Sequence, residues 1–311
     1  MFTGIRSAKS ARRPLTETQR RNRVWGLILI SPWLLGVLIF KLAPIIASLV
    51  LAFTNFYLLE PKLWQFIGLA NFIELFHDPD AWQVLLQTIS LALIIIPVQT
   101  CASVLLATIL SDKRLKMKNA MRSLFFLPSI IPSAAAMFMF QGFVNPANGW
   151  LNRLILGPIG LAGLNHLTSR NPGQTFFILT SLWAIGPGFL IMMSSLQGIP
   201  PEIHEAAQID GANLLQHFFR ITIPLISPAI FFSLILNLTA VFGGSILLDR
   251  GNTFNVATSS YDSYIHHVLF DYMKLGYASS LAWLFFVLVM GLVLVLFVTA
   301  RRWVYFPDAE R

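Results

Sequence analysis

Six long apolar stretches separated by polar segments make up most of this chain. They cover residues 25–53, 84–110, 123–144, 175–196, 225–248 and 278–298. A helix needs about 20 apolar residues to cross the hydrocarbon core of a bilayer, and each stretch reaches that length. Continuous apolar runs of this length are typical of membrane spans rather than of strands or buried soluble helices. The pattern therefore predicts an all-α polytopic membrane protein with six transmembrane helices.

Positive charge collects in polar segments that would lie on one side of the membrane. Residues 1–23 hold seven Lys and Arg against one acid, and residues 111–122 hold five against one acid. Basic residues beside the ends of spans mark the cytoplasmic side. We therefore expect both termini in the cytoplasm. The predicted division is a basic tail over 1–24, a six-span transmembrane domain over 25–302 with a cytoplasmic loop over 200–224, and a C-terminal tail over 303–311.

Composition agrees with a membrane location and argues against several other classes of protein. The chain has 311 residues, of which 56% are hydrophobic and only 12% charged, about half the charged share of a soluble protein. Its net charge of +8 follows the span ends, so it indicates topology rather than nucleic-acid binding. The single cysteine, Cys101, lies inside an apolar run, so neither a disulfide framework nor a cysteine metal cluster is expected.

Residue patterns for catalysis are not found in the sequence. There is no G-x-x-x-x-G-K-[ST] phosphate loop and no H-E-x-x-H metal motif. The adjacent His266 and His267 have no flanking cluster of ligands. The predicted spans contain no Asp, Glu or His, which a proton-coupled transporter would be expected to carry. We therefore expect no enzyme activity, cofactor or metal site in this chain, and an uncharged substrate if it transports one.

Lys41 is the only formal charge well inside a predicted span. It lies in the later half of the first apolar run, from where its ammonium group can reach the outer interface by snorkelling. The alternative is that Lys41 lines a translocation path, which would favour an anionic substrate. The sequence leaves both interpretations open.

Residues 200–228 form a polar segment between the fourth and fifth apolar runs. Pro201 suits the first turn of a helix, where no N–H is needed, and Glu202 favours the positive helix end. Gly211 suits a helix C-terminus, and Asn213 can cap the helix that follows. The pattern predicts two short helices with a sharp break between them.

Seven residues in this segment form a spaced motif: Glu205, Ala206, Ala207, Asp210, Gly211, Ile221 and Pro224. The motif resembles the EAA signature of permease subunits in ABC importers. Its fuller form, E-A-A-x-x-D-G-A, is similar to the carbohydrate-uptake branch, the maltose and sn-glycerol-3-phosphate type. Two further stretches, F-I-G-L-A-N-F at 66–72 and L-G-Y-A at 275–278, resemble segments of sugar permeases. We call residues 200–224 the motif loop.

The resemblance implies a type I ABC-importer permease fold in the inner membrane of a prokaryote. It implies that the chain forms half of a translocation pathway together with a second, homologous permease subunit. Two ATP-binding subunits would dock on the cytoplasmic face and bind the ATP, and an extracytoplasmic sugar-binding protein would deliver the substrate. Within the motif loop, Glu205 and the Ala206–Ala207 face would contact the ATPase, and Gly211 would supply the bend. We also expect the chain to contact membrane lipid and not to bind nucleic acid.

Candidate substrate-pathway residues are Trp183, Gly186, Ser233 and Asn237. Ser233 and Asn237 lie four apart and so share one helical face. The pair resembles a span of maltodextrin permeases in which Ser and Asn contact bound sugar, but a hydrogen bond between helices explains it equally well. Trp183 and Gly186 fall beside Pro187 in mid-span, where a broken helix survives only inside protein or beside a water-filled cavity.

Other functions remain open at this stage. One is an ABC importer of a different solute, such as glycerol 3-phosphate or a polyamine. Two others are a secondary transporter without an ATPase and a membrane scaffold with no transport function. The residues of this chain favour both of these less than an ABC importer.

Overall fold

Helices joined by turns form the fold in this computed structural model, which describes residues 17–111, 115, 117–144, 149–158, 183, 185–243 and 260–305. The helices are α1 (Glu17–Val37), α2 (Ala43–Leu51), α3 (Ala70–His77), α4 (Pro79–Ser111), α5 (Lys118–Phe126), α6 (Ser133–Val144), α7 (Gly186–Gln197), α8 (Pro201–Ile209), α9 (Leu214–His217), α10 (Ile223–Gly243), α11 (Tyr261–Phe270) and α12 (Leu275–Trp303). Among these residues, β structure is limited to one isolated bridge between Thr54 and Phe66. The predicted all-α class is confirmed.

Within the described residues, four helical segments are long and apolar enough to cross a membrane: Val24–Leu51, Pro79–Ser111, Leu214–Ala240 and Leu275–Trp303. They correspond to the first, second, fifth and sixth predicted spans. Of the predicted fourth span, 175–196, the structure describes Trp183 and the residues from 185 onward. The count of six spans therefore stays a prediction.

The third predicted span, 123–144, is interrupted rather than merely kinked. After α5, a 3₁₀ turn covers Leu127–Ile130, and Ile131 is extended with ψ 127°. A proline pushes the residue before it out of the helical region, and Pro132 follows directly. The helix resumes only as α6.

The chain divides into two compact units, residues 1–50 and 51–311. In the first unit, α1 continues through a π-helical turn over Leu38–Leu42 into the next helix. The N–H of Ala43 reaches back to the carbonyl of Leu38, and Pro44 follows. The helix thus forms a widened turn just before Pro44, and exposed Lys41 lies within this turn.

In the second unit, α4 is the central helix and contributes to both buried apolar clusters. In the first cluster, Val84 and Ile95 of α4 pack with Tyr261 of α11 and Leu281 of α12. The second joins the other half of α4 to α7 and to Ile226 of α10. Because one helix runs through both clusters, α4 fixes the positions of the helices around it.

Gly276, near the start of α12, lets this helix touch the backbone that follows α2. Its N–H donates to the carbonyl of Phe56 at 3.1 Å. A Cβ at this position would lie 2.1 Å from the carbonyl oxygen of Thr54 and 3.2 Å from the amide of Phe56. No side chain fits without movement of the backbone, which gives the glycine of the L-G-Y-A stretch a packing role.

Asp78 ties the corner between α3 and α4 to α11 and α12. Its Oδ1 accepts hydrogen bonds from the backbone N–H groups of Asp80 and Ala81, at 2.9 and 3.2 Å. Its Oδ2 accepts from the hydroxyls of Tyr264 and Tyr277. Burial alone would raise the pKa of Asp78, but the bonds from the two tyrosines and the two amides together hold that pKa below its usual value. Asp78 is therefore an ionised, fully bonded anchor.

Replacing Gly276 by alanine should destabilise the fold. We expect Gly276→Ala to lower the free energy of unfolding by about 1–3 kcal/mol, the usual cost of overpacking. The control is Gly291→Ala in the same helix, where an added Cβ meets no atom within 4 Å; it should be neutral or stabilising by up to about 1 kcal/mol. Thermal unfolding in detergent measures both, and equal midpoints for the two variants would contradict the packing role.

Replacing Asp78 should cost stability in a pH-dependent way. A lowered folded-state pKa gives stability that is fully present above the unfolded-state pKa and lost as the pH falls through the folded-state value. We expect Asp78→Asn to lower the free energy of unfolding by about 1–3 kcal/mol at neutral pH, and the difference from the parent to shrink below about pH 4. Exposed Asp80 supplies the control, Asp80→Asn. A pH-independent deficit, or an equal one in the control, would argue against the anchor.

Candidate functional site

The motif loop folds into two helices that meet at Gly211. At the end of α8, the N–H of Ala212 donates to the carbonyl of Ala207 at 3.0 Å, and the N–H of Gly211 donates to that of Gln208 at 3.1 Å. Gly211 has φ +76°, the left-handed conformation that favours glycine. This pair of bonds is a Schellman motif, which satisfies the last carbonyls of a helix. The predicted helix end at Gly211 is confirmed.

Both predicted helix starts in the motif loop are also confirmed. Pro201 is in the first turn of α8. Asn213 caps α9: its Oδ1 accepts from the N–H of Gln216 at 2.8 Å, and the Oε1 of Gln216 accepts from the N–H of Asn213 at 3.0 Å. This reciprocal pair is a capping box.

The second helix of the motif loop does not stop before the next span. It runs from α9 through a π-helical turn, Phe218–Thr222, into α10 without a break. Ile221 lies in the π turn, and Pro224 lies in the first turn of α10. The sequence predicted a short helix followed by a span from residue 225, whereas the fifth apolar helix begins at Leu214.

Most motif residues are on the surface of the chain. Glu205, Ala206 and Asp210 are exposed, as is Gly211, whereas Ala207 is buried with 6% of its surface exposed. Successive helix residues point about 100° apart, so the two alanines do not form a single free surface. Large apolar side chains lie exposed beside the motif: Ile209, Leu214, Leu215 and Phe219.

Two histidines that the motif does not include join the arms of the loop. Nδ1 of His204 in α8 lies 2.7 Å from Nε2 of His217 at the end of α9, and the ring centres are 4.8 Å apart. On its other side, Nδ1 of His217 lies 3.5 Å from the hydroxyl of Thr222. Both imidazoles are half-buried. The sequence did not predict this contact, because spacing rules pair residues within one helix and these two histidines lie on different helices.

The candidate substrate residues Ser233 and Asn237 lie where α10 packs against α4 and α7. The Nδ2 of Asn237 donates to the hydroxyl of Thr100 in α4 at 3.3 Å. A Cβ on Gly188 would lie 2.9 Å from Ser103 Oγ and 3.4 Å from Ser233 Oγ. Ser233 is only 1% exposed, and its hydroxyl has no hydrogen-bond partner among the described residues. The geometry is that of a helix–helix contact, and a role in binding sugar stays a prediction.

Gly186 permits a second close approach, between α7 and α5. A Cβ there would lie 2.9 Å from the carbonyl oxygen of Phe125 and 3.1 Å from the Cα of Phe126. Trp183 is helical and half-buried. Of the adjacent histidines in α11, His267 pairs with Asp271 at 2.5 Å and His266 packs against Phe270.

Residues 99–305 match the family described as the binding-protein-dependent transport system inner membrane component. The chain belongs to this family. This permease is 34% identical to the probable ABC transporter permease protein YesP of Bacillus subtilis (strain 168), over 94% of this chain and 95% of the relative. It is 27% identical to the lactose transport system permease protein LacF of Rhizobium radiobacter, over 92% of this chain and 97% of the relative.

A solved structure shares the fold of the permease. It is the crystal structure of a bacterial ABC transporter involved in the import of the acidic polysaccharide alginate. The permease matches one of its chains with a TM-score of 0.77 and 23% identity, over 91% of this chain and 96% of that one. The predicted ABC-importer permease fold is thereby confirmed.

Gly211 should be replaceable only by residues that accept a left-handed backbone. Nothing lies within 4 Å of an added Cβ, and the constraint is the φ of +76° alone. We expect Gly211→Ala to lower the stability of the purified permease by about 1–2 kcal/mol. Gly211→Asn is the matched control and should cost less, since Asn visits this conformation more readily. Equal unfolding midpoints for the two variants would show that the backbone does not hold this conformation.

Proposed function

We propose that this permease is a transmembrane subunit of an ATP-driven, binding-protein-dependent sugar importer, and that its motif loop couples transport to ATP hydrolysis. The observation that carries the coupling role is the geometry of the loop. A Schellman motif and a capping box fix both helices, so exposed Glu205 and Ala206 are held on a rigid frame. Because its second helix continues into α10, a push on the loop can be transmitted along the span.

The surface of the loop suits contact with another protein. Exposed Ile209 and Leu214 have 85% and 90% of their surface free. Apolar side chains this exposed beside charged Glu205 and Asp210 form a patch of the kind that marks interaction sites. We assign the patch to an ATP-binding subunit.

The assembly that we propose has four core chains and one delivery protein. A second, homologous permease completes the pathway, and two ATP-binding subunits bind ATP on the cytoplasmic face. A binding protein delivers substrate on the other face. The basic segments before the first span and after the last support a cytoplasmic position for both termini of the permease.

A neutral or weakly charged sugar is the substrate class that we favour. The named relative LacF transports lactose, and the alginate importer takes an acidic polysaccharide. The polar side chains of α4 and α10 are uncharged away from the helix ends. Uncharged polar side chains of this kind can form the hydrogen bonds that the hydroxyl groups of a sugar need. Glycerol 3-phosphate or a polyamine is the second candidate, and exposed Lys41 would favour the phosphate.

Reversing the charge of Glu205 should uncouple the importer. We expect Glu205→Lys to lose the ATP-binding subunit during affinity purification and to abolish ATP-driven uptake at a normal membrane level. The control is Glu202→Lys, which makes the same charge change one turn earlier in α8 and should keep both. The ATP-binding subunit retained per tagged permease is the measurement.

Three outcomes would count against the proposal. Normal uptake by Glu205→Lys would remove the coupling role from the loop. Uptake that follows a proton gradient and not ATP would favour a secondary transporter. ATP hydrolysis stimulated by a binding protein loaded with glycerol 3-phosphate, and not by one loaded with a neutral oligosaccharide, would move the substrate to the second candidate.

A further inference from the structure

The hydroxyl of Ser227 makes two hydrogen bonds at the start of α10. The residue lies three positions after Pro224 and is buried, with 2% of its surface exposed. The hydroxyl donates to the carbonyl oxygen of Pro224 at 2.6 Å and accepts from the backbone N–H of Tyr305 at 2.8 Å. A serine hydroxyl has one donor and two acceptor sites, so both bonds can form at once. One buried side chain thus joins α10 to the segment that follows α12.

The bond to Pro224 replaces a hydrogen bond that α10 lacks. Pro228 lies inside this helix and has no N–H to give to the carbonyl four residues earlier, which is that of Pro224. A serine hydroxyl can bond back to a carbonyl of the preceding turn, and Ser227 does so here. The carbonyl that the proline leaves without its helical donor is therefore paired at the residue where the motif ends.

The bond from Tyr305 fixes the segment that leaves the last span. Val304 follows α12 in an extended conformation, with φ −92° and ψ 128°, although its own N–H still donates to the carbonyl of Ala300 at 2.8 Å. Because the helical pattern ends there, the N–H of Tyr305 needs an acceptor outside the helix. Ser227 supplies this acceptor, and the end of α12 is thereby bonded to α10.

Aromatic packing supports the same junction between the two helices. The ring of Phe231 in α10 lies edge-on to the rings of Phe297 and Trp303 in α12, with ring centres 5.0 and 6.0 Å apart. Edge-to-face pairs of this kind add to the energy of burial. The last two turns of α12 are therefore held against the early part of α10 by side chains as well as by the bond at Ser227.

We infer that Ser227 is a positioning residue for coupling: its two hydrogen bonds fasten the last span to α10 beside the motif loop, so that a displacement of the loop moves α10 and α12 together. The inference rests on the proposed coupling role of the loop. It adds a second route into the bundle, because α12 contributes to an apolar cluster that also includes α4. Without the bond from Tyr305, the loop would move α10 alone.

Two substitutions remove the bond between the helices from opposite sides. Ser227→Ala removes the acceptor, and Tyr305→Pro removes the donor, since proline has no N–H. Proline suits position 305 because the residue before a proline favours the extended conformation, which Val304 already has. Tyr305→Ala is the matched control, since it loses the exposed ring but keeps the N–H.

A second serine controls for the bond within the helix. Ser31 precedes Pro32 inside α1, and its hydroxyl donates to the carbonyl of Ile28, four residues before the proline, at 2.8 Å. This is the same local arrangement as in α10, and the bond stays within one helix. Ser31→Ala therefore removes a replacement bond at a proline without changing any residue of the junction between α10 and α12.

The test uses the assembled importer, purified through the tagged permease, with Mg²⁺, ATP and vanadate added to arrest the ATP-binding subunits. Amide hydrogen exchange is followed in segments 214–228 and 294–305, with and without these additions. In the parent we expect the exchange of both segments to change. In Ser227→Ala and Tyr305→Pro the change at 214–228 should remain, while that at 294–305 should fall about fivefold, the effect of one hydrogen bond.

The controls separate the bond from its surroundings. Tyr305→Ala and Ser31→Ala should behave like the parent. The double variant Ser227→Ala/Tyr305→Pro should lose no more than either single variant, because both changes remove the same bond. If Ser227→Ala does not fold, Tyr305→Pro carries the test, because residue 305 is exposed and the buried side chains of the junction are unchanged.

The outcomes distinguish this role from the proposed function. If the full change at 294–305 persists in Tyr305→Pro, or if Tyr305→Ala loses it equally, the positioning role is overturned while the coupling role of the loop stands. Losses that add in the double variant overturn it as well. If ATP and vanadate leave 214–228 unchanged in the parent, the coupling role is wrong and the positioning role is overturned with it. Equal retention of the ATP-binding subunit shows that the variants assemble.

Discussion

The structure depends on pairing every backbone N–H and carbonyl inside the chain, because the bilayer core offers no water as a substitute. Proline makes complete pairing harder, because it lacks the N–H and its ring crowds the carbonyl four residues earlier. The helices that contain Pro44 and Pro224 adapt to the proline in the same way. In each case a π-helical turn ends two residues before the proline, and the residue between them donates to the first carbonyl of that turn. The helix therefore continues past both prolines.

That continuity connects the motif loop to the transmembrane core. A helix that broke at Pro224 would absorb a displacement of the loop in a hinge, whereas the helix from Leu214 to Ala240 can carry it into the span. Farther along, Asn237 bonds to Thr100, and Gly188 brings α7 against Ser103. These contacts join α10 to α4, the helix that contributes to both apolar clusters. Movement of the loop would thus reach the centre of the bundle through packed side chains.

Features with local causes could be predicted from the sequence. The helix start at Pro201, the end at Gly211 and the cap at Asn213 each depend on residues within one or two turns, and the structure has all three. The fold class followed from apolar runs, and the family followed from the resemblance of the motif loop to the EAA signature. The sequence did not reveal the continuous path through Pro224 or the turn of Ala207 into the interior, because these depend on hydrogen-bond shifts and packing that no short pattern encodes.

Contacts between distant residues were missed for the same reason. Asp78 accepts from four donors and is held ionised, so it loses its bonds only by gaining a proton at a pH well below neutrality. The contact between Nδ1 of His204 and Nε2 of His217 joins the two helices of the motif loop on the side away from Gly211. The α3–α4 corner and the motif loop are therefore each held by a contact between residues on different helices. Spacing rules within one helix cannot encode such contacts, because they arise only when the helices have packed.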